Sequence, residues 1–375
     1  MYERTSVGLD VHARSVSATA LNSETGAITE TTLTPDHDEI SAWIRTLPGQ
    51  IQVVYEAGPT GFGLHRALTA AGIDCVVAAP SKLHRPPGDR VKTDKNDARL
   101  LAQLLLLGQI TPVRVPTVTE ESARDLVRGR EDVRTDLMRA RHRVSKLLLR
   151  HGHVYYGGRA WTGAHHQWLH RIRFDQPGTA AAYDAELEAV DFALARRDRL
   201  DAAIAEMAAA SEFTPIVRNL CCLRGVSTLT GFGLAVEIGD WSRFTGASIG
   251  AYLGLVPTEH SSGGSRRQGG ITKAGNTHAR RLLVEAAWHH KPRYTVGAVL
   301  RARWERTGPR SGAGTRPRRQ SAAAPPVGDV RASAQKAHDC YYRDRPRTRR
   351  LVLVAGDAAG LTCHHNHPDA PRLRR

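Results

Sequence analysis

Four carboxylates stand where phosphodiester chemistry would need them. Asp10 lies in GLDVH inside a short β-prone run, Glu56 closes the apolar run IQVVYE, and Asp94 and Asp97 lie three apart in KTDKNDA. A charge inside a buried strand is unfavourable unless paired or metal-bound, and helix residues three apart share a face. Carboxylates converging from strands and a helix can hold two hard divalent cations, Mg2+ or Mn2+, about 4 Å apart, activating a nucleophile and stabilising the leaving oxygen. Each acid also has an ordinary structural alternative. Asp94 can cap a helix with Asp97 favourable to its dipole, Asp10 can cap a turn, and Glu56 can pair with Arg66. Four together, in this order of elements, favour the metal site.

A second stretch, HSSGGSRRQGG at 260–270, places serines among glycines and arginines. Glycine lets backbone approach a phosphate closely, and successive N–H groups can form an anion nest. Arg266 and Arg267 can neutralise a phosphate, and Lys273, Asn276, Arg280 and Arg281 continue a polar lining into the following helix. The alternative is a flexible surface loop. A serine hydroxyl needs activation; no His–Asp pair is evident nearby, so the acidic site is the candidate activator. A basic, Pro-rich loop at 81–93, with Lys82, Arg85, Arg90 and Lys92, leads to Lys95 and adds further phosphate contacts. His165, His166 and His170 have possible ligand spacing but read as solvated surface histidines, and Cys363, His364, His365 and His367 form a metal-like cluster in a poorly organised stretch.

The elements that must position these groups follow from periodicity. Residues 5–22 read as a β-hairpin, 28–34 as a third strand, 51–58 and 73–80 as further strands, 61–72 as a helix, and a helix begins near Asp94. Three strands followed by alternating helix and strand describe an α/β domain with a mixed sheet. Segments 119–149 and 181–209 lack proline and read as two long helices, paired as an antiparallel or intermolecular coiled coil. From Thr214 to Trp304, glycines punctuate short helices.

The 375 residues carry 53 Lys/Arg against 37 Asp/Glu, a formal charge of +16 that favours a polyanionic partner. From Arg306 onward there are 15 Lys/Arg and five acids, so most of the excess sits in the tail. Five cysteines form neither a disulfide framework nor a CxxC pair. With no apolar signal core and no membrane-length apolar run, a cytoplasmic protein without membrane contact is expected.

GLDVH, YEAGPTG and KTDKNDA after a basic loop resemble the N-terminal domain of the DEDD transposases of the IS110 family, insertion-sequence recombinases that include the Piv-type invertases. LRGVSTLTGFGLAVEIGDWSRF and YLGLVPTEHSSGGSRRQGGITKAGNTHARRLLVEAAW are similar to that family's second domain. The resemblance covers residues 5–110 and 214–304. It implies an RNase-H-like (RuvC-like) domain over 1–110 with Asp10, Glu56, Asp94 and Asp97 as metal-binding tetrad. A helical coiled-coil connector over 111–212 and a mainly α transposase domain over 213–304 would follow. The family pattern centres on a Ser-Gly pair, which makes Ser262 the implied nucleophile with Ser261 in reserve. DNA ends and target, an element-encoded guide RNA, and assembly as dimer to tetramer are implied as partners. The tail from 305 reads as disordered or frameshifted. A Holliday-junction-resolvase-like nuclease, or an inactive nucleic-acid-binding remnant, are the competing functions.

Overall fold

The computed structural model describes residues 3–84, 93–290 and 296–307. The chain divides into two compact units, the first ending at Thr117 and the second starting at Val118.

In the first unit, β1 (Arg4–Val11), β2 (Val16–Asn22) and β3 (Ile28–Leu33) form an antiparallel meander. α1 (His37–Arg45) leads to β4 (Gln50–Glu56), α2 (Gly63–Ala70) to β5 (Asp74–Ala78), and α3 (Asp94–Leu106) follows. β4 pairs parallel with β1 and β5 parallel with β4, giving the order β3-β2-β1-β4-β5. This mixed α/β sheet agrees with the RNase-H-like domain that the resemblance implies. Strand alternation sorts the side chains between two layers. Val7, Leu9, Val53, Tyr55 and Val77 pack with Ile40, Ile44, Leu64 and Leu68 of α1 and α2. Val54 and Ala78 turn the other way, onto Leu101 and Leu105 of α3.

Gly8 sets how near α3 can come. A Cβ there would run into the Ala98 carbonyl oxygen and stand 2.5 Å from the Ala102 amide nitrogen. Helix α1 was not anticipated. Its nine residues put Ile40, Trp43 and Ile44 on one face against the core, and Asp36 caps it by accepting from Asp38 N and Glu39 N at 2.9 Å.

The second unit opens with α4 (Val118–Arg150), α5 (Gly163–Leu169) and α6 (Pro177–Ala209). α4 and α6 pair antiparallel within the chain: Arg130 meets Asp201 at 2.7 Å and Arg143 meets Glu186 at 2.6 Å, so one number rises as the other falls. Leu137, Ala140, Val144 and Leu147 close on Tyr183, Leu187, Val190 and Ala193 between them. Then come α7 (Thr214–Leu220), α8 (Thr228–Ile238), α9 (Gly246–Tyr252), β6 (Pro257–Ser262), β7 (Ser265–Ile271), α10 (Thr277–Trp288) and α11 (Ala298–Thr307). Ala123, Val127, Ile204 and Ala208 of the long helices share one core with Phe213, Leu220, Phe232, Leu234 and Leu283. Packing therefore runs continuously across position 212, where the connector was expected to end. Among the described residues no helix is long and apolar enough to cross a membrane.

Gly8→Ala forces α3 off the sheet or strains both backbones, an overpacking cost of about 1–3 kcal/mol. Urea unfolding should show a lowered midpoint with an unchanged slope. Wild-type stability in Gly8→Ala would mean that the close approach does not constrain the domain.

Candidate functional site

Asp10, Asp94 and Asp97 of the first unit come together at one end of the sheet. Asp10 and Glu56 follow Leu9 and Tyr55, the last positions that β1 and β4 pair with each other, and lie near the ends of these neighbouring strands on the face that carries α3. Thr93 caps α3, accepting from Asn96 N at 3.3 Å, and this puts Asp94 and Asp97 in the first turn, where carboxylates suit the helix dipole. Asp94 is therefore not the cap. His12, which the residue pattern did not single out although GLDVH contains it, stands between two of the acids. Its Nε2 is 3.1 Å from Asp10 Oδ2 and 3.6 Å from Asp94 Oδ1.

The Asp10 side chain is only 18% exposed, against 60% for Asp94. Burial pushes the Asp10 carboxyl above its ordinary range, His12 opposes this, and Asp97 and Asp94 add repulsion in the same direction as burial. Burial is the main cause, and repulsion between the acids is secondary to it. Asp10, His12 and Asp94 each offer a ligand atom, all within 4.8 Å of one another. Mainly carboxylate donors with unrelieved repulsion fit a hard divalent cation, which would offset that repulsion directly.

The serine stretch is a β-ribbon and not the Gly-rich nest or loop considered from its composition. Ser262 pairs with Ser265 across the two-residue turn Gly263–Gly264, and Gly263 takes φ 56°, a conformation that suits glycine. Ribbon alternation places Glu259 and Ser261 on one face, and His260 and Ser262 on the other. The Ser261 hydroxyl donates to Glu259 Oε1 at 2.8 Å. Ser262 is exposed at the tip.

Sequence reasoning missed the group that holds this region together. Glu237 of α8 is 1% exposed at its side chain and accepts from Asn276 Nδ2 at 2.6 Å and from Arg128 Nη2 at 3.1 Å, with His278 Nδ1 at 3.1 Å. Burial alone would raise its pKa. The hydrogen bonds from His278, Arg128 and Asn276 win, and the carboxyl is held down at about 2. One carboxylate thereby joins α4, α8 and the start of α10.

Part of the expected phosphate lining has partners within the fold. Asn276 donates its amide N–H to Glu237, and its side-chain carbonyl oxygen accepts from Ala279 N as the cap of α10. Arg280 donates to the Leu253 and Ala274 carbonyls, at 3.1 and 2.7 Å. Arg281 pairs with Glu131 and Glu285. These three hold the fold because their polar ends already have internal partners. Arg267, Lys273 and Lys95 are exposed. Lys273 adopts φ 56°, unusual for a side-chain-bearing residue, between segments that touch backbone to backbone at Gly254 and Gly275. Arg266 keeps its register opposite Ser261. Lys92, with Arg85, Arg90 and the Cys363–His367 group, lies outside the described residues.

A mixed sheet with carboxylates near the ends of two central strands, in a chain whose second unit is helical and bears a β-ribbon, fits the RNase-H-like class of nucleic-acid enzymes. A DEDD transposase family model matches residues 7–152, and a model described as "Transposase IS116/IS110/IS902 family" matches residues 217–305. The transposase for insertion sequence element IS1533 of Leptospira borgpetersenii is 30% identical over 314 residues, covering 81% of this chain and 90% of that one. The putative transposase y4qE of Sinorhizobium fredii is 42% identical over 238 residues, 63% of this chain but only 58% of the relative's own length. The transposase for IS1111A of Coxiella burnetii is 24% identical over 238 residues, 63% of this chain and 64% of that one. The chain belongs to the IS116/IS110/IS902 family of DEDD transposases.

Two outcomes test this site. The Glu237 carboxyl titrates near 2 when folded and near 4.5 ordinarily; its contribution, about 3 kcal/mol, is complete above pH 4.5 and is lost as pH falls toward 2. Glu237→Gln should lower stability at pH 7 and flatten the acid limb between those values in chemical unfolding. An acid limb identical to wild type removes Glu237 as the anchor. Separately, Arg267→Ala and Lys273→Ala should each flatten the slope of log affinity for DNA against log salt by about one unit, with Tm unchanged. Arg281→Ala should instead lower Tm and leave the slope alone. The reverse pattern would exchange their roles.

Proposed function

We propose that this chain is an insertion-sequence transposase that breaks and rejoins DNA, with Ser262 as nucleophile and Asp10, Glu56, Asp94 and Asp97 as a tetrad holding Mg2+ or Mn2+. The observation that carries this reading is the meeting of Asp10, His12 and Asp94 at the mouth of α3, with Asp97 close enough to repel Asp10. When bound, the divalent ions would supply Lewis acidity to a phosphate oxygen and lower the pKa of a coordinated hydroxyl. The tetrad's part is to hold that charge in a half-buried, oxygen-rich place. Ser262 Oγ forms a bond to phosphorus as one sugar–phosphate bond breaks; the serine proton is passed to the departing sugar oxygen, which leaves as a hydroxyl. One phosphodiester linkage replaces another, so the cut end keeps the bond energy needed for rejoining. Arg267 and Lys273 neutralise the nucleic acid beside the ribbon. An element-encoded guide RNA and assembly from dimers belong to this proposal on the strength of the family resemblance, including the serine-recombinase type.

The test uses the full chain with RNA and both DNA ends, trapping protein–DNA adducts by denaturation and mapping the attached peptide. Wild type should yield an adduct at Ser262. Ser262→Ala should still bind nucleic acid and form none, and Asp10→Asn should slow cleavage by at least about 100-fold. An adduct at Ser261 would instead make Glu259 the base of a different nucleophile. Cleavage without any adduct would point to a hydrolytic nuclease.

A further inference from the structure

We propose that His166, His170 and Asp191 form a second metal site, a surface clamp for Zn2+ that is chemically unlike the carboxylate cluster. His166 lies in α5 and His170 at its C-cap, four residues on, so both imidazoles stand on one helix face. Their ring centroids are 4.6 Å apart. Both Nε2 atoms aim at one carboxylate on α6: His166 is 2.7 Å from Asp191 Oδ1, and His170 is 3.2 Å from Oδ2. The three ligand atoms lie within 4.8 Å of one another. Around a tetrahedral zinc with bonds of about 2.0–2.1 Å, ligand atoms stand about 3.3 Å apart. The His170–Asp191 contact already has about that spacing, and the His166–Asp191 contact would open by about 0.6 Å.

The neighbouring histidine shows what a packing role looks like here. His165 is buried, accepts the Trp161 N–H through Nδ1 at 3.2 Å, and makes edge contacts with Tyr155 and Trp161. His166, His170 and Asp191 are each about 40% exposed, which leaves the remaining coordination position to water. Two imidazoles and one carboxylate suit zinc and discriminate against Mg2+, which takes oxygen donors. The clamp would fasten α5, in the segment between the long helices, to the flank of α6. This inference does not rest on the transposase reading.

The experiment titrates chelator-stripped, full-length protein with Zn2+ in excess Mg2+, using a chromophoric competitor. Wild type should bind one zinc equivalent that His170→Gln and Asp191→Asn weaken at least tenfold and that Asp10→Asn retains. Zinc should raise the wild-type Tm and not that of His170→Gln. X-ray absorption of the zinc-loaded wild type, which needs no variant to fold, should count two imidazole ligands. Zinc bound equally by wild type and His170→Gln, zinc lost only in Asp10→Asn, a spectrum without two imidazoles, or no zinc bound at micromolar concentration would each overturn the site.

Discussion

Helix α3 lies on its sheet at backbone distance because Gly8 has no side chain to hold it away. The contact brings the first turn of α3, with Asp94 and Asp97, to the strand ends that carry Asp10 and Glu56. Close packing excludes water from Asp10 and raises the carboxyl's pKa, so the same approach that assembles the acids also sets them against one another. His12 offsets part of that tension. A site assembled under repulsion is one whose native geometry a cation would improve.

The second unit resolves a buried carboxylate in the opposite way. Glu237 is deeper than Asp10, yet its donors outnumber its repulsions, and it stays ionised without any ion. Its ties to Arg128, Asn276 and His278 fix where α10 begins, and through the Thr272–Asn276 turn they fix where the ribbon ends. Asn276 and Arg280 are half-buried with partners within the fold, whereas Arg267 and Lys273 are exposed.

Alternation in GLDVH and IQVVYE made the central strands legible, and freedom from proline made the long helices so. Asp10 and Glu56 stood out because a charge inside an apolar run demands a reason. Glu237 in GLAVEIG carries the same signal, and applying that rule along the whole chain would have found it. His12 was not legible because its role depends on a turn that brings it back beside Asp10 and Asp94. The ribbon escaped because Ser, Gly and Arg have little β preference; cross-strand hydrogen bonding and the turn at Gly263–Gly264 decide its form, not propensity. The internal partners of the polar residues after it were not legible for a related reason: sequence shows a donor but not whether a carbonyl already waits for it, as Leu253 and Ala274 do for Arg280.

The antiparallel pair of α4 and α6 has a mechanical consequence. Each helix has 33 residues, a length of about 50 Å at 1.5 Å per residue. One end is embedded in the core with α7, α8 and α10, while the other carries the 151–176 segment. Such a pair acts as a lever arm: a rotation of about 5° at its base sweeps the far end through about 4 Å, roughly the spacing of stacked base pairs. Stiffness along the arm, from Val144, Tyr183 and Val190 packed between the helices, is what would carry so small an angle undiminished over that distance.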